Sequence, residues 1–305
     1  MELVKSYTDV VVIGCGVSGM TAALYLKRSN VDVVIIENNA PGGQINSTAK
    51  IENYPGILSI KGPELAIKMF NQISEIGVLY KQGKVIEVSD DSKYKIVKMN
   101  NEVIKCKSVI ISTGRKPRLL NVKGEKELMG KGISWCAICD GPFFKGEDVA
   151  VIGAGNSALE EALFLSEFVN KVYIINRKST FKADKKVVDE VLLNSKIEVI
   201  YNSSVKSFDE ENKKLVSITL NDDNKVFVKG AFIFIGFEPV SGFVSKYNLT
   251  DQSGYIEVDS NMRTKTRNIY ACGDVIKKEL YQIATSVGEG AIAAISAVKD
   301  LEQKK

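Results

Sequence analysis

The sequence predicts an α/β protein of two Rossmann-like, doubly wound three-layer nucleotide-binding domains, the second inserted into the first. Two observations carry that expectation. The first is an internal duplication. TDVVVIGCGVSGMTAALYL runs from an apolar strand through Gly14, Gly16 and Gly19 into a helix, and EDVAVIGAGNSALEEALFL repeats the pattern with Gly153, Gly155 and Ala158. The second is the apolar strand that follows each copy about 20 residues on, VDVVIIEN after the first and KVYIINRK after the second.

Small residues have a physical purpose in such a pattern. The first glycine permits a tight turn, the second lets backbone approach a pyrophosphate, and the third position lets helix and strand pack closely. The helix start then offers free N–H groups and the positive end of its dipole to phosphate. The nucleotide-binding candidates are therefore Gly14, Gly16 and Gly19 in the first copy and Gly153, Gly155, Asn156, Ser157 and Ala158 in the second.

The remaining elements follow in order. GKVIEVSDDSKYKIVKM and EVIKCKSVI read as a small antiparallel meander. The strand KSVIIST runs into STGRKPRLL, where Pro117 marks a domain boundary near residue 116. A second boundary is expected after GAFIFIGFEPV. The segment beyond it is too short and glycine-rich for a third domain and is expected to return to the first. The expected domains are thus 1–116 and 243–305 for the first nucleotide, and 117–242 for the second nucleotide and a cysteine pair.

Composition removes several functional classes. The 305 residues carry a net charge of +4 with scattered lysines, so the electrostatic footprint of a nucleic-acid binder is absent. No stretch approaches the roughly 18 apolar residues of a membrane span, and the start of the chain reads as a strand, so a cytoplasmic protein is expected. There is no histidine. Histidine-dependent triads, imidazole acid/base chemistry and histidine-ligated metals are excluded together. Cys15, Cys106 and Cys272 stand alone in apolar or glycine-rich surroundings and read as small buried hydrophobes.

Cys136 and Cys139, in SWCAICDGPF, form the one cysteine unit. Half of a zinc site, inert core and a redox disulfide are the three readings of such a pair. Zinc needs about four ligands, and no second CxxC or histidine supplies them. Inert core sits badly with Asp140 and Gly141 directly after the pair. A dithiol needs a group to supply or remove its proton, and without histidine Asp140 is the candidate, provided partial burial raises its pKa. The end of the second strand of each unit faces an adenosine ribose. Glu37 there suits a ribose 2′-hydroxyl. Asn176 stands at the matching place in the second unit, followed by Arg177, Lys178 and Lys182, which suit a 2′-phosphate.

Together with PGGQI, ENYPG, STG, CAICDG, GAGNSALEEA, YACGDV and QIATSVGEGAIAA, the first glycine loop makes the chain resemble, over nearly its full length, the bacterial-type low-molecular-weight thioredoxin reductases. The resemblance implies FAD held by the first glycine loop, Glu37, Gly43, Gln44, Asn53, Thr113, Gly114, Gly273, Asp274, Gln282 and Ala284. It implies NADP(H) as electron donor at the second unit, thioredoxin or a thioredoxin-like protein as partner, and a homodimer. Cys136, Cys139 and Asp140 would be catalytic, with Cys139 nearer the flavin and attacking the substrate and Cys136 resolving the mixed disulfide. In the family a domain rotation alternates nicotinamide and dithiol at the flavin, with hinges here near 116 and 242. The chain departs from the family's pattern at two places: Asn176, Arg177, Lys178 and Lys182 replace a His-Arg-Arg start and a further arginine, and Tyr281 replaces an arginine. Reduced ferredoxin is therefore an alternative donor, with Lys178, Lys182, Lys185 and Lys186 as its landing surface, and NADH a further one. A ferredoxin to NADP reductase would have no use for the CxxC. A dithiol oxidase or a non-catalytic nucleotide-binding sensor are the other readings.

Overall fold

The computed structural model describes residues 4–48 and 50–302. The chain divides into two compact units, one of Met1–Asn46, Tyr54–Lys116 and Glu238–Lys305 and one of Ser47–Asn53 and Pro117–Phe237. The first unit begins with β1 (Val4–Ile13), α1 (Val17–Arg28), β2 (Val33–Glu37), α2 (Gly62–Glu75), β3 (Leu79–Gln82), β4 (Val85–Asp91), β5 (Tyr94–Met99) and β6 (Glu102–Ile111). The chain leaves it through the short strand β7 (Arg115–Pro117). The second unit holds β8 (Ile133–Ser134), α3 (Ala137–Asp140), β9 (Asp148–Ile152), α4 (Asn156–Ser166), β10 (Lys171–Ile175), α5 (Lys185–Leu193) and β11 (Ile197–Ile200). It continues with β12 (Val205–Glu211), β13 (Lys214–Leu220), β14 (Lys225–Phe227) and β15 (Gly230–Ile233). After β16 (Phe237–Pro239), β17 (Ile269–Ala271) and α6 (Ile283–Glu302) complete the first unit.

In the first unit the strand order is β3-β2-β1-β6-β5-β4, with β17 also paired to β6. Strands β3, β2, β1, β6 and β17 run parallel, while β4 and β5 form the antiparallel part. The meander read from the sequence is therefore not separate: β6 is one long strand that belongs to both. Parallel strands are buried on both faces and read as unbroken apolar runs, as VVVI and VVII do here. Successive side chains nevertheless take opposite sides. Val10, Val12, Val33 and Ile35 pack with α1, α2 and α6, while Val11, Ile13, Val34 and Ile36 pack with the meander and the 244–276 segment.

The second unit repeats this plan. Its all-parallel sheet has the order β11-β10-β9-β15-β8. Val149, Val151, Val172 and Ile174 face α4 and α5, while Ala150, Ile152 and Ile175 face a three-stranded antiparallel sheet of β12, β13 and β14 that the sequence reading did not anticipate.

One expected boundary shifts, and one segment expected in the first unit groups with the second. Residues 238–242 stay with the first unit because Val240 is held on both sides: its N–H donates to Gly114 O (3.0 Å), and its carbonyl accepts Thr113 Oγ1 (2.6 Å). Residues 47–53 group with the second unit, where the Lys50 ammonium lies 5.4 Å from the centre of the Phe143 ring. Among the described residues no helix is long and apolar enough to cross a membrane.

Candidate cofactor and dithiol sites

In open parallel sheets ligands bind beyond the carboxyl ends of the strands, where the strand order reverses. In the first unit that place lies between β1 and β6. Gly14 follows β1, Glu37 ends β2, Thr113 and Gly114 follow β6, and Gly273 and Asp274 follow β17, so these expected residues are brought to one sheet edge. Gly14 has φ +105°, and a Cβ there would sit 2.4 Å from Ser112 O. A Cβ on Gly19 would sit 1.9 Å from Gly14 O. Both glycines are demanded by the fold itself. Gly16 differs: its φ of −79° suits any residue, and a Cβ there would meet nothing within 4 Å. The chain gives no internal reason for glycine at 16, whereas a cofactor brought against the backbone would give one.

The polar groups of this edge converge. Glu37 accepts the N–H of Cys15 (2.8 Å) and of Asn39 (2.9 Å), so its carboxylate braces the glycine loop. Gln44 Nε2 donates to Arg115 O (2.8 Å) and lies 3.4 Å from Asp274 Oδ2, while Ser286 Oγ donates to Asp274 Oδ1 (3.3 Å). Gly43, with φ +60°, adjoins Gly16, a Cβ on it lying 3.4 Å from Gly16 Cα. Gln282 precedes α6, and Ala284 is exposed in its first turn, where unpaired N–H groups are found. Glu289 accepts the Gly273 N–H (2.9 Å) and pairs with Lys278 (2.9 Å). These residues fit a flavin dinucleotide. Asn53 is the exception, because the structure groups its segment with the second unit.

The second glycine loop repeats the first with a different ending. Gly153 has φ +150°, with a Cβ position 2.4 Å from Phe234 O, and Gly155 has only Lys182 O at 3.8 Å. The Lys182 N–H donates to Ala154 O (2.8 Å), so the basic segment folds back beside the loop. Asn156, at the head of α4, exchanges hydrogen bonds with Asp184: its Nδ2 donates to Asp184 Oδ2 (2.9 Å), and its Oδ1 accepts the Asp184 N–H (2.7 Å). Ser157, Arg177, Lys178 and Lys182 are exposed, and Ala158 is buried. Asn176 follows Ile175 at the end of β10 as Glu37 follows Ile36 in β2, the matching place read from the sequence, and it is 1% exposed. Its side chain donates to Thr180 O (3.0 Å) and accepts the Lys178 N–H (3.0 Å), tying up the turn that carries the basic residues.

The cysteine pair follows β8, an edge strand two places from β9 in the same parallel sheet. With strands about 4.8 Å apart, dithiol and second glycine loop lie on one edge roughly 10 Å from each other. Cys136 and Cys139 are joined in a disulfide with Cα atoms 5.3 Å apart. Cys136 caps α3, its Sγ accepting the Cys139 N–H (3.2 Å). Ser134, a residue the sequence reading missed although it opens the quoted motif, links cysteine and acid: its Oγ donates to Asp140 Oδ2 (2.6 Å) and accepts the Cys136 N–H (3.0 Å). Asp140 Oδ1 is buried with no hydrogen-bond partner. Burial raises the Asp140 pKa against the opposing hydrogen bond from Ser134. A cavity of about 50 Å³ lined by Gly132, Ser134, Asp140, Phe143 and Phe144 opens beside the carboxyl, enough for water. Cys15, Cys106 and Cys272 are buried free thiols, each pushed up to about 12 by burial. Among the described residues no group of three or more cysteine or carboxylate side chains is placed to hold a metal.

Comparison with known proteins gives this architecture its class. The pyridine nucleotide-disulphide oxidoreductase family matches residues 8–290. A thioredoxin reductase of Bacillus subtilis is 41% identical over 300 residues, covering 97% of this chain and 95% of the relative. One from Listeria monocytogenes is 40% identical over 302 residues, with 97% and 95% covered. The crystal structure of thioredoxin reductase from Streptococcus pyogenes superposes with a TM-score of 0.94 at 41% identity, covering 98% of this chain and 99% of that one. The chain belongs to the pyridine nucleotide-disulphide oxidoreductase family, and the resemblance to its thioredoxin reductases drawn from the motifs is borne out. With its redox-active cysteine pair, it is a flavoprotein disulfide reductase.

Proposed function

We propose that the chain reduces the disulfide of thioredoxin or a thioredoxin-like protein, with electrons passing from NADPH through FAD to Cys136 and Cys139. The observation that carries this reading is the cysteine pair placed beside a half-satisfied carboxyl whose pKa is raised by burial. Bound FAD would supply the two-electron step, taking a hydride from NADPH and opening a disulfide. Gly14, Gly16 and Gly19 would admit its pyrophosphate, Glu37 would lie toward its ribose, and Asp274 toward its polyol. Gly153, Gly155, Asn156, Ser157, Ala158, Arg177, Lys178 and Lys182 would hold NADPH.

The reduced pair then acts on the substrate. Cys139, as thiolate, attacks one sulfur of the protein disulfide and displaces the other as a thiolate. Cys136 next attacks Cys139 Sγ, restoring the intramolecular disulfide and releasing the second substrate sulfur. Two electrons leave the enzyme's dithiol, and the substrate gains two protons. Asp140 is suited to move these because burial raises its pKa above the ordinary carboxylate value, which makes it a better proton acceptor than an exposed aspartate. Ser134 holds it by one oxygen, the other is buried without a partner, and the residue lines the small cavity. The same reading includes a cytoplasmic homodimer.

A second reading takes reduced ferredoxin as donor. Lys178, Lys182, Lys185 and Lys186 are all exposed and offer an acidic protein a landing surface. Anaerobic mixing separates the two. Rapid bleaching of the flavin by micromolar NADPH supports the first, and colour that persists with NADPH but is lost with reduced ferredoxin supports the second. Cys139→Ser is expected to abolish protein-disulfide reduction while flavin binding stays intact; retained reduction would refute the relay.

A further inference from the structure

Two cationic side chains outside the expected cofactor set, Arg115 and Lys278, converge on Asp274 in the first unit. The Arg115 guanidinium carbon lies 3.5 Å from the centre of the Tyr281 ring, its Nε is 3.8 Å from Asp274 Oδ2, and its Nη1 donates to Tyr255 Oη (3.4 Å). Lys278 Nζ lies 3.3 Å from Asp274 Oδ1 and 5.4 Å from the Tyr281 ring. The Arg115 side chain is 15% exposed and that of Lys278 10%, so both cations are largely withdrawn from water.

Such an arrangement has a cost that packing alone does not recover. Ordering an arginine costs rotamer entropy, and desolvating its charge costs more. A guanidinium stacked on an aromatic face offsets part of this when desolvated, and the planar group is needed for it. What the stack achieves locally is control of a carboxylate. Asp274 Oδ1 is held by Lys278 and Ser286, and Oδ2 faces Gln44 and Arg115, whose own carbonyl accepts from Gln44. Gln44 and Asp274 are thus fixed against each other by one residue, through its backbone and through its charge.

We propose that Arg115, seated on the Tyr281 ring, is a positioning residue for the flavin site: it sets Asp274 and Gln44 in the orientation that receives the cofactor. This rests on the flavin reading above. Tyr281 is then a platform for the guanidinium, and its hydroxyl is dispensable.

The test measures FAD affinity of the apoprotein by fluorescence titration, together with apoprotein melting. Arg115→Ala is expected to weaken FAD about tenfold, equivalent to about 1.4 kcal/mol, with the apoprotein melting as wild type does. Tyr281→Ala should match it, Tyr281→Phe should bind as wild type, and the double alanine variant should be no worse than either single one because the pair acts as a unit. Arg115→Lys should recover only part of the loss, since an ammonium keeps the charge without the planar stack. Wild-type affinity in Arg115→Ala, or fully additive losses, overturns the proposal, as does a loss that merely follows a lowered melting temperature. If Arg115→Ala does not fold, the contrast between Tyr281→Phe and Tyr281→Ala decides in its place. Failure of the wild-type apoprotein to take up FAD would instead overturn the flavin reading itself.

Discussion

The two glycine loops are the same solution carried to different ends. In each, the first glycine has positive φ and closes onto the carbonyl after the neighbouring parallel strand, Ser112 O for Gly14 and Phe234 O for Gly153. In each, the second glycine has room before it. They differ in what surrounds that room. Glu37 reaches back to brace the first loop through the Cys15 N–H, whereas Asn176 makes its hydrogen bonds within its own basic turn. The third position differs too, glycine in one copy and Ala158 in the other. The shared geometry belongs to the fold; under the proposed function, the unshared side chains would carry the choice of nucleotide.

The largest expected effect breaks the fold half of that comparison. A Cβ at Gly19 would lie 1.9 Å from the Gly14 carbonyl, with backbone on both sides of the clash. Gly19→Ala should therefore destabilise the apoprotein by more than about 4 kcal/mol and lower its melting temperature by roughly 10 °C. Ala158→Gly, the reciprocal change in the second loop, should cost only about 1 kcal/mol through helix propensity. Equal melting shifts in the two variants would show that the backbone around Gly19 relaxes to admit a Cβ and that the fold does not demand glycine there.

A smaller effect sharpens the cofactor half. Gly16 is free of both steric and conformational demands, so Gly16→Ala should melt within about 0.5 kcal/mol of wild type. Its affinity for FAD should nevertheless fall, by about tenfold for a single displaced pyrophosphate contact. Gly155→Ala should leave FAD alone and raise the KM for NADPH. Crossed results, with FAD lost from Gly155→Ala, would reverse the assignment of the two units.

This contrast also marks what could be read from sequence. The glycine loops were legible because their geometry is local: a few consecutive residues determine the turn, and the apolar strand before it declares the sheet. Asp140 was legible for the same reason, lying one residue from Cys139. Ser134 was not, since its role depends on a two-residue edge strand too short to show any period. Arg115 was missed because its partners, Tyr281, Asp274 and Gln44, lie from about 70 to more than 160 positions away in the chain, and no spacing rule brings them together. The second meander was missed because charged and hydroxyl side chains in β12 (VKSFDEE) and β13 (KLVSITL) leave too few apolar residues to show a clear alternation.

The smallest expected effect concerns a residue the duplication itself makes odd. When the two glycine helices are aligned, Glu161 of α4 falls where α1 has Ala22, which is fully buried. Glu161 Oε2 is buried with no hydrogen-bond partner, and burial, then the neighbouring Glu160 charge, pushes its pKa up to about 6. Because the folded value lies above the unfolded value of 4.5, the native state holds this proton more tightly. Its stabilising contribution is complete below about pH 4 and is lost as pH rises through about 6. Glu161→Gln removes the charge and so should gain stability on the same rise. The gain over wild type should be near zero at about pH 4 and reach at most about 2 kcal/mol near pH 7, less to the extent that water reaches the carboxyl. Urea unfolding of the two apoproteins at those two pH values measures it. A gain of equal size at both would mean that Glu161 is neutral throughout, and a loss near pH 7 would mean that its carboxylate has a partner in solution.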